Sequence, residues 1–176
     1  HYLKENPSAT TAHNSQGCAM TQPTAYRVVK QLLDSNVITQ NEKVIAANGR
    51  QPVLYSISPT YAYALCIMLE KTCVTVCATQ LDGAVAQSRR HEIISYRKKE
   101  EILDSINDDI SAMTQALWTN PEERKRLRAI CVSAEADIDI ESGRILKFSG
   151  ASCFDGFSIV EYFENRYGLP TRLNKL

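Results

Sequence analysis

The chain has 176 residues, with 44% hydrophobic and 23% charged residues. That is an ordinary soluble globular composition, long enough for one large domain or two small ones. Twenty Lys/Arg balance twenty Asp/Glu, so no overall attraction to polyanions is expected, and no apolar run is long enough to span a membrane. Residues 1–59 nevertheless carry five basic and three acidic residues, against fifteen and seventeen beyond them, a mild positive bias at the front. The first residue is His1 rather than methionine, which reads as a fragment of a longer chain.

Thr10 is a candidate helix cap, with a short, weakly patterned helix over 11–17. TQPTAYRVVKQLLDSNVI, residues 21–38, is far more explicit. Thr21 suits an N-cap and Pro23 the first turn. Ala25, Val28, Val29, Leu32 and Leu33 then recur at the spacing of one buried stripe. Asp34, Ser35 and Asn36 close the helix. Short strands are expected at Val37-Ile38, 43–46 and 53–57, with Asn48-Gly49-Arg50-Gln51-Pro52 as a tip between the last two. Two helices joined by a turn and followed by a hairpin make a winged helix-turn-helix, placed here over residues 1–58.

Ser58-Pro59 breaks that pattern. Three strand-like runs follow at 62–69, 72–79 and 84–91, separated by tight turns at Glu70-Lys71 and Leu81-Asp82-Gly83, as in an antiparallel meander. Ile102, Ile106, Ile110, Met113 and Leu117 then mark a long helix that Asn120-Pro121 stops. A buried-type strand is expected over 127–134, and a loop or hairpin around Ser142-Gly143. Ser158 and Glu161 look like a capping box opening a helix that ends at Gly168, with Pro170 beyond and a strand from Thr171. The order βββαβα(β) over residues 59–176 is that of an actin-like or ribonuclease-H-like lobe, so the whole reads as α/β with a winged helix in front.

In a helix-turn-helix the second helix enters the major groove, and its N-terminal side chains reach base edges. Gln22, Thr24, Tyr26, Arg27 and Lys30 lie off the apolar stripe. Gln pairs bidentately with adenine and Arg with guanine, so Gln22, Thr24 and Arg27 are candidate base readers. Thr21 and Lys30 suit phosphates, with Tyr26 supporting through backbone contacts. Arg50, beside Gly49, is a candidate minor-groove probe. The alternative is a capped surface helix that binds nothing.

The same residues carry a family resemblance. TQPTAYRVVKQLLDSNVI followed by GRQPVLYSISP resembles the DNA-binding segment of the ROK family (repressor, open reading frame, kinase), with Gly49, Arg50 and Pro52 matching its Gly-Arg-x-Pro wing. YALCIMLEKTCVTVCATQLDG, ADIDIESGRILKFSG and VEYFENRYGLPTRL are similar to three later family segments in register. The resemblance implies a regulator of sugar-metabolism genes that binds operator DNA and answers to a sugar or sugar-phosphate; the near-palindromic operators of such modules point to a homodimer, and the cysteine usage to a reducing cytoplasm. Family kinases hold nucleotide phosphates with Asp-x-Gly-x-Thr, where this chain has Met68, Leu69, Glu70, Lys71 and Thr72. The family's Pro-Gly is Glu135-Ala136 here, and its catalytic Asn-Asp falls on Lys175 and Leu176. The expectation is therefore no catalytic residues, no cofactor, no metal and no enzyme. The alternatives are a sugar kinase or its remnant, and a dimerisation module without DNA binding. The family's second lobe is expected to lie outside this chain.

Other groupings are weaker. Glu135, Asp137, Asp139 and Glu141 read as an exposed acidic edge without a basic partner, and Arg124, Lys125, Arg126 and Arg128 as a solvated turn. The loop Ser152-Cys153-Phe154-Asp155-Gly156 reads as a plain connection, and Trp118 as core. His1, His13 and His91 are too scattered to ligate a metal. The six cysteines are expected as buried, apolar, reduced thiols.

Overall fold

The computed structural model describes residues 8–41, 53–93 and 98–176. The chain divides into two compact units, His1–Tyr61 and Ala62–Leu176. Among the described residues no helix is long and apolar enough to cross a membrane.

In the first unit, β1 (Ala9–Thr10) leads into α1 (Thr11–Gly17), and α2 (Gln22–Asp34) is followed by β2 (Ile38–Gln40) and β3 (Leu54–Ile57). Thr10 caps α1, its Oγ1 accepting from the His13 N–H at 3.2 Å. Between the helices Ala19 takes φ 51°, a left-handed value, while the Met20 N–H returns to Ser15 O at 2.9 Å. Ala25 and Val29 are buried, and Val29 forms a small core with Ile38 and Tyr55, against which Leu32, Leu33, Val37 and Val53 pack.

Two details depart from expectation. β1 was not anticipated, because two residues show no periodicity; it pairs antiparallel with β3 through Ala9–Tyr55 and Thr10–Leu54, giving a sheet of order β1-β3-β2. Thr21 occupies the N-cap position of α2 but makes no side-chain cap bond to the backbone; its hydroxyl pairs with that of Thr24 at 2.9 Å. The expected strand 43–46 and the tip 48–52 lie outside the described residues.

The second unit is a five-stranded mixed sheet of order β11-β7-β4-β5-β6. Its strands are β4 (Tyr63–Leu69), β5 (Cys73–Gln80), β6 (Val85–Glu92), β7 (Leu127–Ala134) and β11 (Thr171–Lys175). The first three form the antiparallel meander, joined at the turn where Glu70 N–H donates to Cys73 O at 3.0 Å. α3 (Lys99–Leu117) carries the chain back to β7, which pairs parallel with β4. α5 (Ile159–Tyr167) does the same for β11, which pairs parallel with β7. A single turn, α4 (Pro121–Arg124), holds part of the basic cluster. β8 (Asp137–Asp139), β9 (Arg144–Lys147) and β10 (Phe157–Ser158) form a small second sheet in the order β10-β9-β8.

Alternation along β4 shows which sheet face is covered. Leu65, Ile67 and Leu69 are fully buried with Ile102, Ile106, Ile110 and Met113 of α3, while Ala64, Cys66 and Met68 between them are half-buried. α3 and α5 are tied together by Asn107, whose Nδ2 donates to Tyr162 OH and whose Oδ1 accepts from Tyr167 OH, both at 2.8 Å. α5 ends in Gly168 at φ 65°, a conformation that glycine adopts without steric cost. Ser158 precedes α5 but its side chain makes no cap bond, so the expected capping box is not formed. Trp118 is buried against Tyr63, the rings 5.2 Å apart and edge to face. The cysteines differ from expectation: Cys73 and Cys77 are buried, Cys66, Cys131 and Cys153 are half-buried, and Cys18 is exposed.

Candidate nucleic-acid interface

The first two turns of α2 present a polar face. Gln22, Tyr26 and Lys30 follow one another at i, i+4 and i+8, which stacks them along one side of the helix over about 12 Å. All three are exposed, as is Arg27 beside them; Tyr26 retains 58% of its surface. Thr21 is exposed at the helix start and Thr24 is half-buried on the flank. The adjoining side, through Ala25 and Val29, is spent on the core, and Arg27 points directly away from it. Gln22, Thr24, Tyr26, Arg27 and Lys30 therefore share one helix, with Thr21 at its head. Arg50 lies outside the described residues.

Charge adds a second feature. Among the described residues of this unit the formal charges are Arg27 and Lys30 against Asp34, which sits at the far end of the same helix. Neither cation has an ion-pair partner among the described residues. An unpaired guanidinium keeps its fork of donors available for a planar acceptor pair, the geometry offered by a guanine edge or a phosphate.

The turn between β4 and β5 in the second unit has a different chemistry. Glu70 Oε2 accepts from Cys73 Sγ at 2.9 Å and lies 3.4 Å from the Arg90 guanidinium. Lys71 is bound twice by one carboxylate: its Nζ is 3.0 Å from Glu135 Oε1, and its backbone N–H donates to Glu135 Oε2 at 3.3 Å. Those bonds from Lys71 hold Glu135 below the ordinary carboxylate range. Glu135 is thus not part of a partnerless acidic edge; the sequence concealed its partner because 64 residues separate the two. Asp139 likewise turns inward on its own hairpin, accepting from Ser142 Oγ at 2.6 Å and from the Glu141 N–H at 3.1 Å, which lowers its carboxyl. The loop after β9 presses on the turn, since a Cβ on Gly150 would lie 2.5 Å from Lys71 O. A phosphate approaching this turn meets two cations, Lys71 and Arg90, each already engaged by a carboxylate.

One constellation escaped the sequence reading. Ser105 Oγ lies 2.7 Å from His91 Nε2, and His91 Nδ1 lies 3.2 Å from Asp109 Oδ2. The spacing resembles a hydrolytic triad, but Ser105 is in the middle of α3. Its N–H is consumed by the helix and cannot help to stabilise an oxyanion. The trio couples edge strand β6 to α3, with Arg89 3.8 Å from the other Asp109 oxygen. Among the described residues, no group of three or more His, Cys, Asp or Glu side chains is placed to hold a metal ion.

Taken together, the chain is a mixed α/β protein whose second unit has the sheet of an actin-like lobe. A lobe of this fold also occurs in ROK-family proteins of known structure. The structure matches a ROK-family transcriptional regulator described as a homologue of the Escherichia coli MLC protein, with a TM-score of 0.62 and 16% identity, over 95% of this chain and 41% of that one. It also matches a ROK-family glucokinase from Streptomyces griseus, solved with glucose and AMPPNP, with a TM-score of 0.54 and 13% identity over 65% of this chain and 33% of that one. A third match is a protein from Listeria monocytogenes described as an N-acetylmannosamine kinase, with a TM-score of 0.50 and 19% identity over 64% of this chain and 35% of that one. This chain therefore spans about two fifths or less of the length of these proteins. No protein-family profile and no curated protein sequence matches it.

Proposed function

We propose that this chain is a ROK-type transcriptional regulator of sugar-metabolism genes. Residues 1–58 form a winged helix that binds operator DNA, and residues 59–176 form the first lobe of the effector domain. The observation that carries this reading is the row Gln22, Tyr26, Arg27 and Lys30, exposed at the start of the second of two consecutive helices, with Arg27 and Lys30 in no ion pair among the described residues. Gln22, Thr24 and Arg27 read bases, Thr21, Tyr26 and Lys30 grip the backbone, and Arg50 probes from the wing. The likeness to the regulator supports it, because that match extends over 95% of the chain whereas the kinase matches extend over about two thirds. The regulator binds a near-palindromic operator as a homodimer, responds to a sugar or sugar-phosphate, and acts in the cytoplasm, where its DNA is.

A sugar kinase is the second reading, favoured by the kinase neighbours of the lobe. Its weakness is electrostatic. Glu70 and the Lys71–Glu135 pair stand where the family's phosphate-binding Asp-x-Gly-x-Thr resemblance falls, and carboxylates beside a polyphosphate oppose binding.

The test is a fluorescence-anisotropy titration of the chain against the DNA upstream of its own gene, at two salt concentrations, beside an unrelated duplex. The expected result is tighter binding to the upstream DNA, weakening as salt rises, and loss of the preference in Arg27→Ala. An Arg–guanine contact carries roughly 1–3 kcal/mol of discrimination, or about 5- to 150-fold. Equal binding to both duplexes, or turnover of ATP with a hexose panel, overturns the reading.

A further inference from the structure

Three cysteines far apart in sequence lie side by side in the fold. Cys66 on β4 is the register partner of Cys77 on β5 and also of Cys131 on β7. All three lie on the sheet face opposite Leu65, Ile67 and Leu69. Cys66 and Cys131 are half-buried and Cys77 is 6% exposed.

The backbone spacing suits a bond between Cys66 and Cys77. The Glu70 N–H to Cys73 O bond marks the turn-proximal pair of this hairpin as hydrogen-bonded. Antiparallel pairs alternate, and Cys66–Cys77 is four pairs further on, so it is hydrogen-bonded too. Such pairs have Cα atoms about 5.5 Å apart, within the roughly 4.4–6.8 Å that a disulfide spans. Cβ atoms of such pairs stand toward the wide end of the cross-strand range, about 5.5 Å apart, whereas a relaxed disulfide holds them near 3.8 Å. Closure therefore pulls the strands together slightly, and strain of that kind makes a disulfide easier to reduce.

The two thiols are also chemically unequal. The Cys77 thiol hydrogen-bonds Cys66, and this lowers Cys66 well below the ordinary thiol range despite its partial burial. The same bond, with burial, pushes Cys77 up. Thr79 Oγ1 is a further polar neighbour, 3.6 Å from Cys66 Sγ. Cys131 is engaged elsewhere, its sulfur accepting from Asn174 Nδ2 at 3.3 Å. Cys73, on the same strand as Cys77, donates to Glu70.

We propose that Cys66 and Cys77 form a reversible dithiol–disulfide pair, oxidised through the more accessible Cys66 by a low-molecular-weight disulfide. The Cys66 thiolate attacks one sulfur of the reagent, forming a mixed disulfide and releasing one thiolate, which takes up a proton. Cys77 loses its S–H proton to solvent and attacks Cys66 Sγ, breaking the mixed disulfide and releasing the second thiolate, which is protonated in turn. Two protein thiols and one reagent disulfide become one protein disulfide and two small thiols, a transfer of two electrons. The pair crosses the central hairpin of the lobe, so its redox state sets the stiffness of β4 and β5.

The test equilibrates the full chain in mixtures of reduced and oxidised glutathione, quenches with iodoacetamide, and maps tryptic peptides by mass spectrometry. Cys66 lies in peptide 51–71 and Cys77, with Cys73, in peptide 72–89. The expected result is joint loss of both thiols as a bridge between these peptides, fully restored by excess reduced glutathione. In Cys77→Ser the bridge disappears and Cys66 carries glutathione instead; Cys131→Ser keeps the bridge. Exposed Cys18 reports that the oxidant has reacted. Modified Cys18 beside free Cys66 and Cys77, a bridge to Cys131, or a bridge that survives Cys77→Ser overturns the proposal.

Discussion

Asn107 offers a sharp test of how the lobe is held together. It is 6% exposed on α3, and its amide joins two tyrosines of α5, Tyr162 and Tyr167, at 2.8 Å each. Asn107→Leu keeps the branched shape of the side chain and removes both bonds. Each neutral bond is worth about 1 kcal/mol net, and a hydroxyl left dry costs about 1–3 kcal/mol more. The two tyrosines are only half-buried, and Asn107 and Tyr167 line a groove of about 660 Å³ open to water. Water can therefore reach the freed hydroxyls, which keeps the loss toward the low end, about 1–3 kcal/mol. For a unit of this size that lowers Tm by roughly 4–12 °C. The assay is chemical denaturation of the parent, Asn107→Leu, Tyr167→Phe and the double variant. If the network is real, the double variant loses less than the sum of the singles, with a coupling of about 0.5–1.5 kcal/mol. Strict additivity, or an Asn107→Leu chain as stable as the parent, refutes the assignment of the α3–α5 contact to this amide.

Other predictions follow the same logic. Ala19 holds φ 51° in the turn between α1 and α2, where a Cβ costs roughly 1–2 kcal/mol; Ala19→Gly raises the unfolding free energy of the first unit, measured by denaturant titration, by up to about 1 kcal/mol, since added unfolded-chain entropy offsets part of the gain. Lys71 holds Glu135 below its ordinary value of 4.5, so that contribution is fully present above the unfolded pKa and is lost as pH falls through the lowered folded one. Lys71→Ala moves the Glu135 titration, followed by carboxyl NMR, back up toward 4.5, and an unmoved titration refutes the pairing. Lys30→Ala weakens binding to all duplexes alike and flattens the log–log salt slope by about 0.9 per module; a change confined to one DNA sequence makes Lys30 a base reader instead.

The elements that periodicity and punctuation dictate were legible in the chain. The stripe Ala25, Val29, Leu32 and Leu33 announces α2, the Ile102–Met113 repeat announces α3, and tight turns separate β4, β5 and β6. Gly168 with Pro170 marks where α5 stops. These signals are local, because the residues that produce them are neighbours on one helix turn or one strand, and burial of one face is their common cause. β1 and β10, at two residues each, are too short to carry a pattern and form only because β3 and β9 offer an edge.

Only the tertiary structure decided which distant residues meet. Parallel pairing of β4 with β7 sets Cys66 beside Cys131, and the antiparallel hairpin sets it beside Cys77. Lys71 finds Glu135, and His91 finds both Ser105 and Asp109. Register chooses these pairs, since a slip of one residue would turn each strand's side chains to the other face, and register is fixed by burial of the whole sheet rather than by any stretch of sequence. The chemistry of the cysteines and of the β4–β5 turn was therefore invisible in one dimension, whereas the polar row on α2 lies on a single helix and could be read there directly.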